Sequence, residues 1–221
     1  WGFVNRSAQE VIPATFRQAN DFSEGLAVVY HQSKWGAINS DGAFEIEPIY
    51  SQMGNFKEGK AWVRLKNGKK GYVNKDGAVL FAGAYSKLTD FKDSVARVYI
   101  RKKGWGLIDV QGNYILKPQK RFSRIEPFND YGIAKVKIGN KYRLINREGK
   151  FLGKQSYGTI RPFVEGYAVI RKQAMSGFHL GKRNLNYTFI DTLGQIIGQE
   201  EYRQLKPFSE GRAAYRNKEG K

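Results

Sequence analysis

A pattern that recurs about every 35 residues constrains this chain more than any other feature of its sequence. Each copy contains an aromatic residue followed six positions later by Phe, and then an acidic residue, usually a Gly, and an Ala. The six aromatic pairs are Phe16 and Phe22, Tyr50 and Phe56, Tyr85 and Phe91, Phe122 and Phe128, Tyr157 and Phe163, and Tyr202 and Phe208. A second landmark, Trp-Gly or a degenerate form of it, begins at residues 1, 35, 70, 105, 142 and 187. These starts divide residues 1–221 into six repeats, which predicts a single repeat domain.

Each repeat has the composition of short antiparallel strands. Residues 26–30 form an apolar run rich in β-branched and aromatic side chains, and two further runs, 35–39 and 43–48, follow after short polar turns. Asn67-Gly68 and Asp76-Gly77 separate the corresponding runs in the next copy, and both dipeptides tolerate the positive φ of tight hairpin turns. No window shows a sustained helical period, so almost no helix is expected. The sequence therefore predicts an all-β chain of three-stranded antiparallel meanders, to which the segment between paired aromatic residues can add a short fourth strand.

The composition excludes several classes of chemistry. The chain has no Cys and two His, His31 and His179, which excludes a disulfide framework and a thiol nucleophile and argues against a multi-His metal site. Aromatic residues make up 14% of the chain, which argues against disorder. No apolar run approaches the roughly 18–20 residues of a membrane span. We therefore expect no metal, no cofactor and no enzymatic activity, and because the chain opens on Trp1 we expect a processed protein or an excerpt of a longer one.

The landmarks resemble those of the bacterial WG repeat family, also called KWG, whose units carry Lys-Trp-Gly, a Gly-containing turn and Phe-x-Glu-Gly-x-Ala. Residues 34–36 and 56–61 match these two motifs closely, and the resemblance covers all six repeats. It implies an all-β repeat array in bacterial proteins and supplies no catalytic residues. The departures from Trp are Lys70, Tyr142 and Tyr187, and the departures from Gly are Arg143 and Thr188.

Units of this size can be arranged in two ways. The chain begins with the predicted last two strands of one unit and ends with the predicted first two strands of another. Joined, these halves would complete a sixth blade and close a β-propeller-like ring. Against closure, 35 residues is short for a four-stranded blade, which takes about 40–45. An open curved β-solenoid array is therefore the alternative.

The recurrent residues are interpreted as structural. The aromatic pairs and the Trp residues are assigned to the core, where each buried ring removes roughly 150–250 Å² from water, with an exposed stacking surface as the alternative. The recurrent Asn or Asp after Trp-Gly is expected to open a turn by bonding its own backbone. Each His is expected to be a surface side chain.

The recurrent acids, which lie beside a turn, are interpreted as backbone caps, because paired catalytic carboxylates need different environments. These acids are Glu24, Glu58, Asp93, Asp130, Glu165 and Glu210.

Basic residues are concentrated at one recurrent position. The net charge is +18, and 21 of the 38 Lys and Arg residues lie in the hairpins around the Trp-Gly positions, together with one acid, Glu219. A regular array places these hairpins on one edge, which predicts a basic stripe or ring. Residues 173–186, an insertion that mixes apolar and basic side chains, add a candidate contact loop. The predicted partner-binding residues are Lys66, Lys69, Lys70, Arg101, Lys102, Lys103, Lys137, Lys141, Arg171, Lys172, Phe178, Lys182 and Arg183.

The charge pattern supports two functions from different classes. The first is a non-catalytic binding or scaffold module that docks an acidic partner, a protein in a larger bacterial assembly, through the basic hairpin edge. The alternative is direct binding of a polyanion such as nucleic acid, an anionic glycan or lipopolysaccharide. The third interpretation of the charge is solubility alone. The expected location is the bacterial cell envelope, periplasmic or surface, rather than the cytoplasm.

Overall fold

The computed structural model describes residues 1–171 and 187–217, and for residues 199 and 200 the backbone alone. These residues contain no helix and form antiparallel sheets, which confirms the predicted all-β class. They therefore include no helix long and apolar enough to cross a membrane. The chain divides into two compact units, Trp1–Gln119 (unit 1) and Lys120–Lys221 (unit 2). A single domain over the whole chain stays a prediction.

Unit 1 contains four sheets, named sheets I to IV in chain order. Sheet I has two strands, and sheets II, III and IV have four each. The strands are β1 (Phe3–Val4) and β2 (Glu10–Ile12) in sheet I; β3 (Gln18–Ala19), β4 (Ala27–His31), β5 (Lys34–Ile38) and β6 (Phe44–Tyr50) in sheet II; β7 (Gln52–Met53), β8 (Lys60–Arg64), β9 (Lys70–Asn74) and β10 (Val79–Gly83) in sheet III; and β11 (Lys87–Leu88), β12 (Ala96–Ile100), β13 (Gly104–Ile108) and β14 (Tyr114–Gln119) in sheet IV.

Unit 2 contains sheets V, VI and VII. Sheets V and VI have four strands each, and sheet VII has two. The strands are β15 (Phe122–Ile125), β16 (Ile133–Ile138), β17 (Lys141–Asn146) and β18 (Phe151–Tyr157) in sheet V; β19 (Thr159–Ile160), β20 (Tyr167–Arg171), β21 (Tyr187–Asp191) and β22 (Ile196–Tyr202) in sheet VI; and β23 (Gln204–Leu205) and β24 (Tyr215–Arg216) in sheet VII.

Every four-stranded sheet is a meander whose strands pair in chain order. In four of these sheets the first strand has only two residues, namely β3, β7, β11 and β19. The predicted three-stranded meander with a short extra strand is therefore confirmed. Sheets I and VII hold two strands each, as the phase of the repeat predicts. The closed ring and the open array stay alternative predictions.

Both faces of sheet II in unit 1 are buried against neighbouring sheets. Along β4, Ala27 and Val29 join a core with Ile12 of sheet I, whereas Val28 between them joins a core with Met53 of sheet III. Successive side chains of a strand point to opposite faces, so one strand supplies both cores. This two-sided burial explains why residues 26–30 form an unbroken apolar run rather than an alternating one.

Unit 2 repeats this arrangement. Ala168 and Ile170 of β20 pack with Leu144 of sheet V, and Val169 packs with Leu205 of sheet VII. Sheets V, VI and VII are thus stacked face to face, and the stacking uses the same strand position as in unit 1.

The recurrent aromatic pairs lie mostly in these cores, as predicted. Phe56 and Phe122 are 0% exposed and Tyr50 is 4% exposed. Phe22 differs, because 40% of it is exposed. Its ring packs on Phe3 of sheet I, with the centroids 4.9 Å apart. Sheet I has only two strands, so it covers less of this ring than a four-stranded sheet would.

The two residues of Trp-Gly serve different structural purposes. Trp35 is partly buried and packs across the β4–β5 pair on Tyr30, with the ring centroids 5.1 Å apart. Gly36 lies where the register between β5 and β6 shifts, and a Cβ atom there would lie 2.5 Å from the carbonyl oxygen of Ile46. Gly is therefore required by a close backbone approach. Trp1 is 70% exposed, so the assignment of all Trp residues to the core is wrong for this one.

In two repeats another residue stands in place of the Gly of Trp-Gly, and the facing strand forms a bulge at this point. The register shifts at this point between β17 and β18 and between β21 and β22. The Arg143 guanidinium donates to the carbonyl oxygen of Gly153 (3.0 Å), and the Thr188 hydroxyl donates to that of Ile197 (3.4 Å). Gly153 and Gly198 adopt φ values of 66° and 78° in these bulges. The bulges leave room for a side chain, so the divergent repeats still form four-stranded sheets.

The recurrent Asn or Asp opens the turn between the third and fourth strands, as predicted. Asn39 Oδ1 accepts hydrogen bonds from the backbone N–H groups of Asp41 and Ala43, both at 3.0 Å. Asp109 and Asp191 accept the equivalent pair of bonds in their own repeats. One side-chain oxygen therefore fixes each of these turns.

Replacement of Gly36 by Ala tests the close backbone approach. The new Cβ atom would lie 2.5–2.9 Å from three backbone atoms of residues 46–48 in the facing strand. We expect a loss of about 1–3 kcal/mol, the usual cost of over-packing, measured by urea denaturation. Gly158→Ala is the matched control, because its Cβ atom would meet nothing closer than 3.8 Å. Equal losses in Gly36→Ala and Gly158→Ala would contradict the explanation.

The alkaline stability of the chain reports on its buried tyrosines. Burial, with a smaller contribution from Tyr114, raises the pKa of Tyr85 to about 12 from the ordinary value of 10.0. The unfolded chain loses this proton near pH 10 while the folded chain keeps it, so the stabilisation is complete below about pH 10 and declines up to about pH 12. Tyr85→Phe should make this decline shallower. The test is to measure the free energy of unfolding of the wild-type and Tyr85→Phe proteins between about pH 9 and pH 12. The same pH dependence in both proteins would contradict the prediction.

Candidate functional site

Each four-stranded sheet has two ends that differ in chemistry. Because neighbouring strands are antiparallel, the turns after the first and third strands lie at one end, and the hairpin between the second and third strands lies at the other. The first end, the turn edge, includes residues 23–26, 57–60 and 92–95 in unit 1 and residues 164–167 and 209–212 in unit 2. The second end, the hairpin edge, includes residues 31–34, 65–70 and 100–104 in unit 1 and residues 137–141 in unit 2.

In unit 1, two neighbouring sheets place five exposed cations on the hairpin edge. Lys66 and Lys69 lie in the turn between β8 and β9 of sheet III. Arg101, Lys102 and Lys103 lie in the turn between β12 and β13 of sheet IV. None of these five side chains makes an ion pair with another residue that the structure describes. Unit 1 therefore carries a cluster of uncompensated positive charge at this edge.

Lys70, the next predicted partner-binding residue, is engaged within the unit. Its ammonium group donates to the carbonyl oxygen of Ser86 at 3.2 Å and lies 5.7 Å from the centre of the Trp62 ring. Both contacts hold the side chain of Lys70 against the protein, so it contributes less to the exposed cluster.

The predicted residues of unit 2 are less uniform. Lys141 is exposed at the start of β17, whereas Lys137 in β16 and Arg171 in β20 are partly buried. Lys172, Phe178, Lys182 and Arg183, with the rest of the 173–186 loop, lie outside the described residues.

Two recurrent acids of unit 1, Glu24 and Glu58, link their repeats to the following ones. The Glu58 carboxylate accepts hydrogen bonds from the backbone N–H groups of Asp93 (2.6 Å) and Ser94 (3.0 Å). Glu24 accepts one from the N–H group of Gly59 at 2.9 Å. Donor and acceptor occupy equivalent turns of successive repeats. Glu24 and Glu58 are backbone caps, as predicted, but the backbone that they cap belongs to the next repeat.

Unit 2 contains the same link and one variant of it. The Glu165 carboxylate accepts hydrogen bonds from the N–H groups of Glu210 (2.8 Å) and Gly211 (3.0 Å). The turn of the fourth repeat has an extra residue, and there the Tyr131 hydroxyl accepts a hydrogen bond from the N–H group of Gly166 (3.0 Å). A different side chain therefore fulfils the same function. Glu58 and Glu165 themselves adopt φ values near 50°, as in the type I′ turns of tight hairpins.

The remaining candidate residues give no catalytic or metal centre. Within residues 1–171 and 187–217 there is no group of three or more His, Cys, Asp or Glu side chains that could hold a metal ion. His31 is partly buried between the rings of Phe16 and Phe44, with centroid distances of 5.9 and 5.8 Å. The expectation of a surface side chain is wrong for His31, and His179 lies outside the described residues.

The structure also shows a basic cavity that the repeat pattern did not identify. Arg161, Arg203, Lys206 and Arg216 line a cavity of about 590 Å³ in unit 2. Arg161, Arg203 and Lys206 lie outside the basic hairpins, so the recurrence of charge could not single them out. In the sequence, the only indication of this cavity was the density of basic residues between positions 203 and 216.

The stacked four-stranded meanders, with Trp-Gly and Glu-Gly at recurrent positions, define an all-β tandem-repeat module. The sequence profile described as WG containing repeat matches residues 1–35, 35–69, 71–103, 105–142 and 187–221. The chain belongs to this family, which confirms the resemblance seen in the sequence.

Several solved structures of low sequence identity are similar to this chain. Curated protein sequences gave no match. The computationally designed Ika8 protein is 16% identical over 97% of this chain and 73% of its own, with a TM-score of 0.45. BamB from Moraxella catarrhalis is 11% identical over 90% and 70% of the two chains (TM-score 0.43), and Kluyveromyces lactis Hsv2 is 9% identical over 81% and 62% (TM-score 0.42). None of these similarities carries an argument about function.

Replacement of Glu58 by Ala tests the link between repeats. It removes the acceptor of two backbone N–H groups. Because hydrogen bonds to charged groups contribute about 1.5–3 kcal/mol and this site is exposed, we expect a loss of roughly 1–2 kcal/mol in urea denaturation. Glu47→Ala is the matched control, since Glu47 is exposed on β6 and has no side-chain bond to a described residue. A loss of the same size in Glu47→Ala would refute the role assigned to Glu58.

Proposed function

We propose that this chain is a binding module that docks an acidic protein surface through its hairpin edge. The supporting observation is the cluster of exposed cations on sheets III and IV, none of which has an ion-pair partner among the described residues. A place in a larger bacterial assembly at the cell envelope belongs to the same proposal.

Turn geometry does not explain this charge. The equivalent hairpin of sheet II is closed by Gln32 and Ser33, whose φ values of 46° and 66° fit a type I′ turn. The same strand pair can therefore be connected by uncharged residues. Clustered like charges repel one another, and an acidic partner relieves that repulsion while the cluster accelerates its approach.

The position of the cluster also suits a docking surface. The sheets are held by the cores between them and by the carboxylate links of the turn edge. The hairpins that carry the cations are connecting segments on this rigid scaffold, which is where binding residues are concentrated in proteins.

The surroundings of the cluster favour an acidic protein over a nucleic acid. Nucleic-acid readers use a groove-entering element or exposed aromatic rings. The described residues contain no helix. Beside the hairpin of sheet IV, Tyr99 and Trp105 are partly buried and pack on each other with ring centroids 5.4 Å apart.

Charge reversal at the hairpin of sheet IV tests the proposal. The probe is fluorescent poly-L-glutamate, titrated with the chain across a salt series by fluorescence anisotropy. We expect Lys102→Glu/Lys103→Glu to weaken binding about tenfold or more at low salt and to flatten its salt dependence, since screening acts on the same charges.

The matched control is Lys117→Glu/Lys150→Glu, which changes the net charge equally at exposed positions outside the hairpin edge. It should retain most of the affinity. Equal weakening by the two double variants would show that only net charge matters and would overturn the proposal. Tighter binding of single-stranded DNA than of poly-L-glutamate at matched charge would also overturn the proposal, in favour of nucleic-acid binding.

A further inference from the structure

A second cavity of unit 2 lies at the turn edge, between sheets V and VI. Its volume is about 260 Å³. Its walls come from the loop that follows β15 and the loop that follows β19, and the buried side chains of Ile133 and Leu144 form its base. Both sheets have all four strands, so the cavity is built on a complete part of the fold.

The fourth repeat departs from the repeat pattern at this cavity. Its turn has an extra residue, and the Tyr131 hydroxyl takes the place of the recurrent carboxylate as acceptor of the Gly166 N–H group (3.0 Å). The Tyr131 ring packs on Phe163, with the centroids 6.0 Å apart, and both residues line the cavity. Tyr131 is 47% exposed. The cavity therefore has an accessible aromatic wall that is held in place from sheet VI.

The polar part of the cavity is an ion pair. Lys135 Nζ lies 2.8 Å from Glu126 Oε2, and the two side chains are 29% and 24% exposed. Lys135 lies on the same face of β16 as Ile133, which belongs to the core between sheets V and VI. The ammonium group also donates to the carbonyl oxygen of Ile160 in sheet VI at 3.4 Å. The pair is therefore positioned in the space between the two sheets.

The stability of the fold does not explain this ion pair. Val28 and Val169 occupy the position of Lys135 in sheets II and VI, and each joins an apolar core. Removing two charges from water costs free energy, and apolar residues of similar volume are often as stabilising as a buried ion pair, or more so. An ion pair at this position, beside an open cavity, therefore indicates a ligand.

The bonding capacity of the pair defines the chemistry of that ligand. An ammonium group has three donors, and Glu126 and Ile160 take two of those of Lys135. One donor and several carboxylate lone pairs remain. A hydroxyl group both donates and accepts, so neighbouring hydroxyls can bind both members of the pair without separating them. A charged ligand would compete with the pair, and an apolar ligand would bury it without replacing its water.

We propose that this cavity binds a single hexose ring. Glu126 and Lys135 bind its hydroxyl groups, and Tyr131 and Phe163 contact its C–H face through their electron-rich ring faces. The volume is just below the roughly 300–1,000 Å³ of sites for drug-sized ligands, which suits a ligand of one ring. The site goes beyond the docking function and shares no residue with the hairpin cluster of unit 1.

Saturation-transfer difference NMR of the full chain with D-glucose, D-galactose, D-mannose and N-acetyl-D-glucosamine tests the assignment. We expect at least one sugar to bind with a Kd of about 1 mM or below. The absence of saturable binding of all four below about 20 mM would overturn the proposal. Tighter binding of L-proline or acetate than of every sugar would also overturn it. Methyl glycosides distinguish the source of the ring, because the end of a glycan keeps its affinity as a glycoside and a free sugar loses it.

The double variant Glu126→Leu/Lys135→Met replaces the ion pair by apolar side chains. We expect about tenfold or more weaker sugar binding, with an unchanged or higher Tm in circular dichroism. The matched control is Asp90→Leu/Lys57→Met, which removes the more exposed ion pair of unit 1 (3.2 Å) and should leave sugar affinity unchanged. Wild-type affinity in Glu126→Leu/Lys135→Met would overturn the proposal.

Two variants of Tyr131 separate its ring from its hydroxyl. Tyr131→Phe keeps the ring and removes the acceptor of the Gly166 N–H group, so sugar affinity should stay within about twofold. Tyr131→Ala removes the ring and should weaken binding about fivefold or more. The same affinity in both variants would contradict the contact with the sugar. Poly-L-glutamate binding is measured separately, so failure of one proposal leaves the other intact.

Discussion

The contact that fixes successive turns relative to one another within each unit is a carboxylate that reaches from one turn to the backbone of the next. Glu58 and Glu165 each accept hydrogen bonds from two N–H groups at the tip of the turn in the following repeat. Hydrogen bonds to an ionised acceptor are stronger than neutral ones, and two of them fix an orientation as well as a distance. The alternating side chains of β4 and β20 can then fill the cores on both faces of their sheets.

This construction separates the residues that hold the fold from those available to a partner. The cores and the carboxylate links of the turn edge hold neighbouring repeats together, and at the hairpin edge Lys70 adds a hydrogen bond to the carbonyl oxygen of Ser86. The uncharged pair Gln32 and Ser33 and the basic segment 101–103 therefore close hairpins of the same type of sheet. The exposed charges of residues 66, 69 and 101–103 can therefore change without a cost to the cores or to the carboxylate links.

Local chemistry made much of the fold predictable from the sequence. The strands follow from apolar runs, and turns such as that of Asn39 follow from side-chain bonding to nearby backbone. What depends on a neighbouring repeat could not be predicted: the exposure of Phe22, the partner of Glu58 one repeat away, and the bulge that accommodates Arg143. For the candidate site, the recurrence of basic residues located the hairpins in the sequence. The contact between Lys70 and Trp62 could be seen only in the structure.

The link between turns has a direction: Glu24 and Glu58 each offer a carboxylate to the repeat that follows, and the turn of that repeat supplies the backbone N–H donors. It is a heterologous, head-to-tail interface of the kind that joins subunits in rings and filaments, here formed between covalently connected units. Duplication of one unit would supply both halves of the interface together, and each interface would involve only adjacent units. The number of hairpins presented to a partner can thus grow by whole repeats while the chemistry that joins them stays the same.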